Sequence, residues 1–272
     1  MPRLGMGTWY LGDDPRKEQQ EIEALRAGFD AGITLVDTAE MYGSGRSERL
    51  IGKALQGYDR EKMFLVSKVL PSNAGRRRIF KSLEDTLQRL GTDYLDLYLL
   101  HWRGSVPFSE TVECMEEMVA QGLIKGWGVS NLDTDDMQEL SRVPGGKNCL
   151  VDQVLYHLGS RGIEYDLLPW MEKNDVACMA YCPLAQAGSL RRGLVNSPAV
   201  AEVADKHGIT PMQVLLAFTL LRDNVISIPR SGKAEHVLAN WAVKDVALDD
   251  DDIRTLNGAF PAPTHKTYLD IQ

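Results

Sequence analysis

Short apolar runs alternate with longer amphipathic stretches along the whole of this 272-residue chain. A short apolar run suits a strand buried on both faces, and a crossover helix lets the next strand lie parallel to it. Eight such runs can be counted: Leu4 to Trp9, Ile33 to Asp37, Phe64 to Lys68, Tyr94 to Leu100, Leu123 to Val129, Leu150 to Val154, Val176 to Tyr181 and Val225 to Ile228. Helical patterns are expected over 17–31, 47–57, 76–90, 107–121, 165–174, 234–243 and 249–258, with Gly32, Gly91 and Gly122 as stops. Asp133 and Thr134 can cap a helix after the fifth run. Thr210-Pro211-Met212-Gln213 is a helix start with the elements of a capping box. Repeated βα units of this kind predict a (β/α)8 TIM barrel, and the length fits one domain over 1–272, since such barrels take about 250 residues. A doubly wound sheet is the alternative, but no G-x-G-x-x-G opens a helix after the first strand.

Three successive strands end in titratable groups. Asp37 closes the second and Tyr42 follows it in a turn; Lys68 closes the third, and His101 follows the fourth. In a (β/α)8 barrel the chemistry sits at the C-terminal ends of the strands, so these four belong to one candidate site. One alone reads best as a structural ion pair or core histidine; four together at adjacent strand ends read as function.

Charge and cysteine usage narrow the partners. A formal net charge of −8 argues against a nucleic-acid surface, while leaving room for a local basic pocket that takes an anionic cofactor. Cys114, Cys149, Cys178 and Cys182 form no C-x-x-C, so neither a metal site nor a disulfide framework is expected. No apolar run reaches the roughly 20 residues of a membrane span, and Met1-Pro2-Arg3-Leu4 lacks the apolar core of a signal peptide. A cytoplasmic protein with no membrane partner is expected.

Seven motifs then occur in one order: V-D-T-A-E-M-Y-G at 36–43, V-S-K-V at 66–69, L-L-H-W at 99–102, W-G-V-S-N at 127–131, D-Q-V at 152–154, A-Y-C-P-L at 180–184 and I-P-R-S at 228–231. The chain resembles the aldo–keto reductases over nearly its whole length. Residues 155–162, 164–170 and Pro261-Ala262-Pro263 resemble enterobacterial members that reduce methylglyoxal and other small aldehydes. The resemblance implies NADPH-dependent reduction of small aldehydes and ketones, with Asp37, Tyr42, Lys68 and His101 as the catalytic four. A free phenol has a pKa of about 10, and a nearby ammonium favours its ionised form, so Lys68 is expected to make Tyr42 more acidic. Asp37 would keep Lys68 charged, and His101 could orient the carbonyl.

The resemblance also implies the cofactor contacts. Arg230 and Ser231 match the site of the NADPH 2′-phosphate, and Arg230 has the forked donors a phosphate takes. Lys233 is either a further contact or a surface charge. His236 and Asn240 match adenosine contacts, with His236 where an arginine is common and Ala239 where a glutamate is common. Ser130, Asn131 and Gln153 suit the nicotinamide carboxamide, which needs donors and acceptors. Tyr181 could stack on the nicotinamide and expose the pro-R face. Cys182 stands where serine is frequent, and Leu184 and Gln186 continue that loop over the pyrophosphate. Gly7 and Thr8 complete the set and place Trp9 at the mouth, where it and Trp102 form the substrate wall.

One departure, the loops of the mouth and two alternatives complete the expectation. Family members usually begin with a hairpin that plugs the bottom of the barrel; at most three residues precede the first strand here, so that plug is expected to be missing or replaced. The short 102–107 segment and the short tail after Phe260 imply modest loops and a site open to several small carbonyl substrates. The alternatives are a Schiff-base aldolase using Lys68, and a nucleotide-binding regulatory module with little catalysis. A monomer or weak homo-oligomer is expected.

Overall fold

The computed structural model describes residues 1–186 and 188–272. Its strands are β1 (Met6–Gly7), β2 (Leu35–Asp37), β3 (Phe64–Val69), β4 (Leu97–Leu100), β5 (Trp127–Ser130), β6 (Val151–Leu155), β7 (Ala177–Tyr181) and β8 (Val225–Ser227). All are parallel, and they pair in sequence order. The sheet closes on itself: Leu4 bridges to Ser227 and Gly7 to Arg230, and the Gly7 N–H donates to the Pro229 carbonyl at 3.1 Å. The fold is therefore a (β/α)8 barrel.

Helices α1 (Glu18–Asp30), α2 (Arg46–Ala54), α3 (Ile79–Leu90), α4 (Phe108–Ala120), α5 (Thr134–Leu140) and α6 (Leu167–Lys173) each follow a strand. Beyond β7 come α7 (Ser189–Val195), α8 (Pro198–His207) and α9 (Pro211–Thr219), and after β8 α10 (Ala234–Trp241) and α11 (Asp250–Ala259). Thr210 and Gln213 form the expected capping box of α9, and Asp133 caps α5 by accepting from the Thr134 N–H. Two helices, α7 and most of α8, have no counterpart in the sequence reading.

Alternation along each strand builds two cores. Outward residues pack against the helices, and Leu35, Val66, Leu97, Leu99, Val151, Met179, Ile226 and Ile228 fill the barrel. The interior is therefore packed rather than a pore. The third layer of inward residues, nearest the C-terminal ends, turns polar with Asp37, Lys68, Ser130 and Gln153.

Among the described residues, no hairpin plugs the bottom. Arg3 instead reaches across to the end of α9, donating to the Leu220 and Arg222 carbonyls at 2.5 and 2.6 Å. Phe64 and Ala177, inward-pointing at this end, stay only half-buried. The acidic run at 249–252 opens α11. Asp249 caps α11, but Asp252 is buried and pairs with Lys206 and His207, each at 2.7 Å, which ties α8 to α11. Among the described residues, no helix is long and apolar enough to cross a membrane. All four cysteines are free, three of them buried.

Candidate active site

The turn after β2 sets the geometry. Tyr42 opens a short 3-10 turn in which Gly43, Ser44 and Gly45 all have positive φ (55°, 53° and 81°). This left-handed stretch suits glycine and is costly for serine. It folds the chain back, so that the Tyr42 hydroxyl lies over the end of β3. The Lys68 ammonium is 3.2 Å from the Tyr42 oxygen, 2.8 Å from the Asp37 carboxylate and 2.7 Å from the Thr38 carbonyl. Gln153 donates to the other Asp37 oxygen at 2.7 Å. The Tyr42 ring meets the His101 ring edge-on, with centroids 5.8 Å apart. The four residues expected to meet do so.

Burial dominates the electrostatics. It pushes the Asp37 carboxyl up and the Lys68 ammonium down, and each is pulled back by the other's charge and hydrogen bond. Three acceptors around Lys68 and two donors on Asp37 hold the pair ionised. The expectation that Lys68 lowers the Tyr42 pKa is reversed: burial, then the charges of Asp37 and Cys182, raise the phenol well above its usual value. Asp37 stands beside the ammonium, so the phenol never feels the field of a lone cation. His101 is pushed down to about 3 by burial and by Lys68, and is neutral at ordinary pH. Among the described residues its buried Nδ1 has no hydrogen-bond partner.

From this cluster one cavity of about 610 Å³ runs to the loop after β8. All thirteen residues expected to hold a cofactor line it: Gly7, Thr8, Ser130, Asn131, Gln153, Tyr181, Cys182, Leu184, Gln186, Arg230, Ser231, His236 and Asn240. Several of them already have protein partners. The Thr8 hydroxyl donates to the Asp37 carbonyl at 2.9 Å and accepts from Ser47, so it fastens β1 to β2 and has no free donor for a ligand. Gln153 uses its amide on Asp37. Asn131 donates to the His101 carbonyl and to Ser130, and accepts from the Tyr181 hydroxyl at 2.9 Å. Asn131 and Cys182, directly after β5 and β7, have φ of 59° and 51°, conformations that turn the chain at the cavity rim.

Trp9 and Trp102 part company. Trp9 lines the cavity, 6.4 Å from the Tyr42 ring between centroids. Trp102 is 37% exposed and packs on His101 at 4.8 Å, outside the lining. Sequence reasoning missed Tyr10, Met41, Arg191 and Gln272, which also line the cavity. Tyr10 stacks on Trp9 at 4.6 Å, Arg191 holds the Leu184 and Ala185 carbonyls at 2.9 and 2.6 Å, and the Gln272 N–H donates to the Tyr181 hydroxyl. An aromatic pair in Trp9-Tyr10 was a usable signal. The Arg191 and Gln272 contacts run largely to backbone or from the distant tail, and nothing local announces them.

The residues fit a phosphorylated nicotinamide dinucleotide. Arg230 uses Nε on the Trp9 carbonyl at 3.0 Å; among the described residues its two terminal nitrogens have no partner, leaving a forked donor for a phosphate. Lys68 does not fit the Schiff-base alternative, since it is wholly buried with three acceptors and presents no free amine.

A closed barrel with a buried ion pair, a phenol and a neutral imidazole at the head of a long cavity is the arrangement of an enzyme. The chain belongs to the aldo/keto reductase family, whose model matches residues 3–260. Over 271 residues it is 54% identical to methylglyoxal reductase YeaE of Escherichia coli, covering 100% of this chain and 95% of that one. An aldo/keto reductase from Klebsiella pneumoniae, crystallised with NADP and acetate, superposes with a TM-score of 0.97 at 50% identity, covering 100% of this chain and 96% of that one. A second structure from that organism, bound to NADPH, agrees equally well (TM-score 0.97, 50% identity, 100% and 95% covered).

Proposed function

We propose that this protein is an NADPH-dependent reductase of small aldehydes and ketones, methylglyoxal among them, with Tyr42 as the proton donor. The observation that carries the reading is the 3.2 Å approach of the Lys68 ammonium to the Tyr42 oxygen, with Asp37 at 2.8 Å on its other side. The methylglyoxal reductase named above supports the substrate class, and the two Klebsiella complexes support the cofactor.

Reduction adds a hydride to the carbonyl carbon and a proton to its oxygen; NADPH supplies the hydride. Burial keeps the Tyr42 phenol protonated, so the acid stays loaded through neutral pH. As the proton leaves, negative charge appears on an oxygen already within reach of an ammonium, which is where a preorganised charge accelerates most. His101 is neutral and its Nδ1 has no acceptor, so we assign the ring proton to Nε2, from which it can donate to the substrate oxygen. Asp37 and Gln153 fix Lys68 in place. Trp9, Tyr10 and Met41 form an apolar rim that accepts small carbonyl compounds without enclosing them.

Oxidation of NADPH by methylglyoxal, followed by loss of nicotinamide absorbance, tests this reading. Tyr42→Phe should abolish turnover while NADPH still binds. Undiminished turnover in that variant would remove Tyr42 from the mechanism.

A further inference from the structure

Tyr42 and Lys68 belong to different segments. Tyr42 sits in the left-handed turn that leads into α2, and Lys68 lies near the end of β3. Ser44 in that turn has a φ of 53°, between two glycines that also have positive φ. Backbone of this kind persists only where the surrounding structure over-determines it. The 3.2 Å approach of ammonium to phenol therefore depends on what fastens the turn to the strand.

Two acidic side chains do so, one on each side of Tyr42 in the chain. Glu40 accepts from the Leu70 N–H at 2.7 Å and from the Asn73 side-chain amide at 3.0 Å, both in the loop that follows β3. Its own N–H donates to the Lys68 carbonyl at 3.3 Å. Glu48, in the first turn of α2, accepts from the Ser67 hydroxyl at 2.7 Å and from the Thr86 hydroxyl at 2.9 Å, and it pairs with Arg89. Glu48, Ser67 and Thr86 are fully buried. Alternation along β3 sends Lys68 into the barrel and Ser67 out toward α2, so adjacent residues of one strand hold the phenol and the helix behind it. The Arg89 side chain also fills the space under the turn, where a Cβ on Gly45 would come within 2.5 Å of its Cδ.

We propose that Glu40 and Glu48 are positioning residues for the proton transfer: they clasp the turn that carries Tyr42 to the residues on either side of Lys68, and so set the separation of phenol and ammonium. The inference rests on the reading of Tyr42 as proton donor. Neither acidic residue lines the cavity, so both act through Tyr42 and Lys68 rather than on substrate or cofactor. The rate is sensitive to such placement, since a displacement of about 1 Å can cost roughly 100-fold. Loosening the clasp should therefore slow the chemical step and leave binding alone.

Single-turnover oxidation of bound NADPH by methylglyoxal, followed in H2O and in D2O, tests this with Ser67→Ala, Glu40→Leu and the double variant. Ser67→Ala opens one side of the clasp while Glu48 keeps Thr86 and Arg89, so no buried charge is stranded. Glu40 is only half-buried, so Glu40→Leu opens the other side without emptying the core. Each should slow the step about tenfold, the size of one lost hydrogen bond to a charged group, and the pair together about 100-fold. The solvent isotope effect should rise as proton transfer becomes harder, while the dissociation constant of NADPH and the half-saturating methylglyoxal concentration stay unchanged. Glu40→Gln keeps an acceptor for Leu70 and Asn73 and should retain most of the rate. An unchanged rate, a slower step with an unchanged isotope effect, a loss confined to NADPH affinity, or a Glu40→Gln variant as slow as Glu40→Leu overturns the proposal; with Tyr42→Phe inactive, the proposed function still stands. Turnover by Tyr42→Phe instead removes the reading on which the clasp depends.

Discussion

Gln153 reaches across the barrel from β6 to donate its side-chain amide to the Asp37 carboxylate on β2 at 2.7 Å, although the two strands are not neighbours. Asp37 thus has a donor on each oxygen, Lys68 on one and Gln153 on the other. A hydrogen bond to a charged group contributes about 1.5–3 kcal/mol. If that brace keeps Asp37 aimed at Lys68, Gln153→Leu should lower kcat by roughly 10- to 100-fold. Steady-state kinetics with saturating NADPH checks this; an unchanged kcat would mean that Lys68 alone orients the carboxylate.

Removing one member of the buried pair should cost more than removing both. Lys68→Met leaves the Asp37 carboxylate buried with no counter-charge, at a cost of about 3–5 kcal/mol in stability. Adding Asp37→Asn should recover most of that loss, although neither variant should turn over. Denaturant unfolding of the single and double variants measures the difference, and simple additivity of the two losses would contradict the pairing.

The pH dependence of turnover follows from two shifts with different signs. His101, pushed down to about 3, stays neutral through the physiological range, so its protonation should leave no inflection between about pH 5 and 8. Tyr42, raised above its usual range, should hold its proton until well into alkaline conditions. A kcat profile that is flat across neutrality and falls only at alkaline pH is expected. An acidic limb with a midpoint near neutrality would assign His101 a charged role.

Asp152 lies on the outer face of β6, fully buried, and among the described residues neither carboxylate oxygen has a side-chain hydrogen-bond partner. Burial raises its pKa well above the usual carboxylate value; a backbone hydrogen bond from Leu132 opposes the shift, and the charges of Asp136 and Asp133 add to it. The unfolded chain loses that proton from about pH 4, whereas the folded chain keeps it, so the unfolded state binds fewer protons and stability falls as pH rises. The Asp152 contribution is fully present below the unfolded pKa and fades toward the folded one. Asp152→Asn should therefore raise Tm, by an amount that grows from about pH 5 to about pH 8. A gain independent of pH would assign the effect to packing.

The barrel was readable because its signals are local and repeated. A buried parallel strand must be apolar on both faces, and helices need their own stops and caps, so eight runs and the Thr210–Gln213 capping box announce themselves one at a time. Where a helix is short, as α7 is, that signal fails. The same local rule shows that Asp37, Lys68 and His101 stand at strand ends.

What no stretch of sequence contains is the set of distances between such ends. Only closure of the sheet places Gln153 against Asp37 and fixes the hydroxyl of Thr8 to the Asp37 carbonyl, leaving no donor there for a ligand. Burial depends on the whole fold in the same way. Residue types at the right spacing predicted an acidified phenol, yet exclusion of water and the nearby Asp37 charge set its pKa in the opposite direction. Spacing along the chain determines which groups arrive at the mouth of the barrel; the solvent and counter-charges they meet there come from residues far away in sequence, and those decide their protonation.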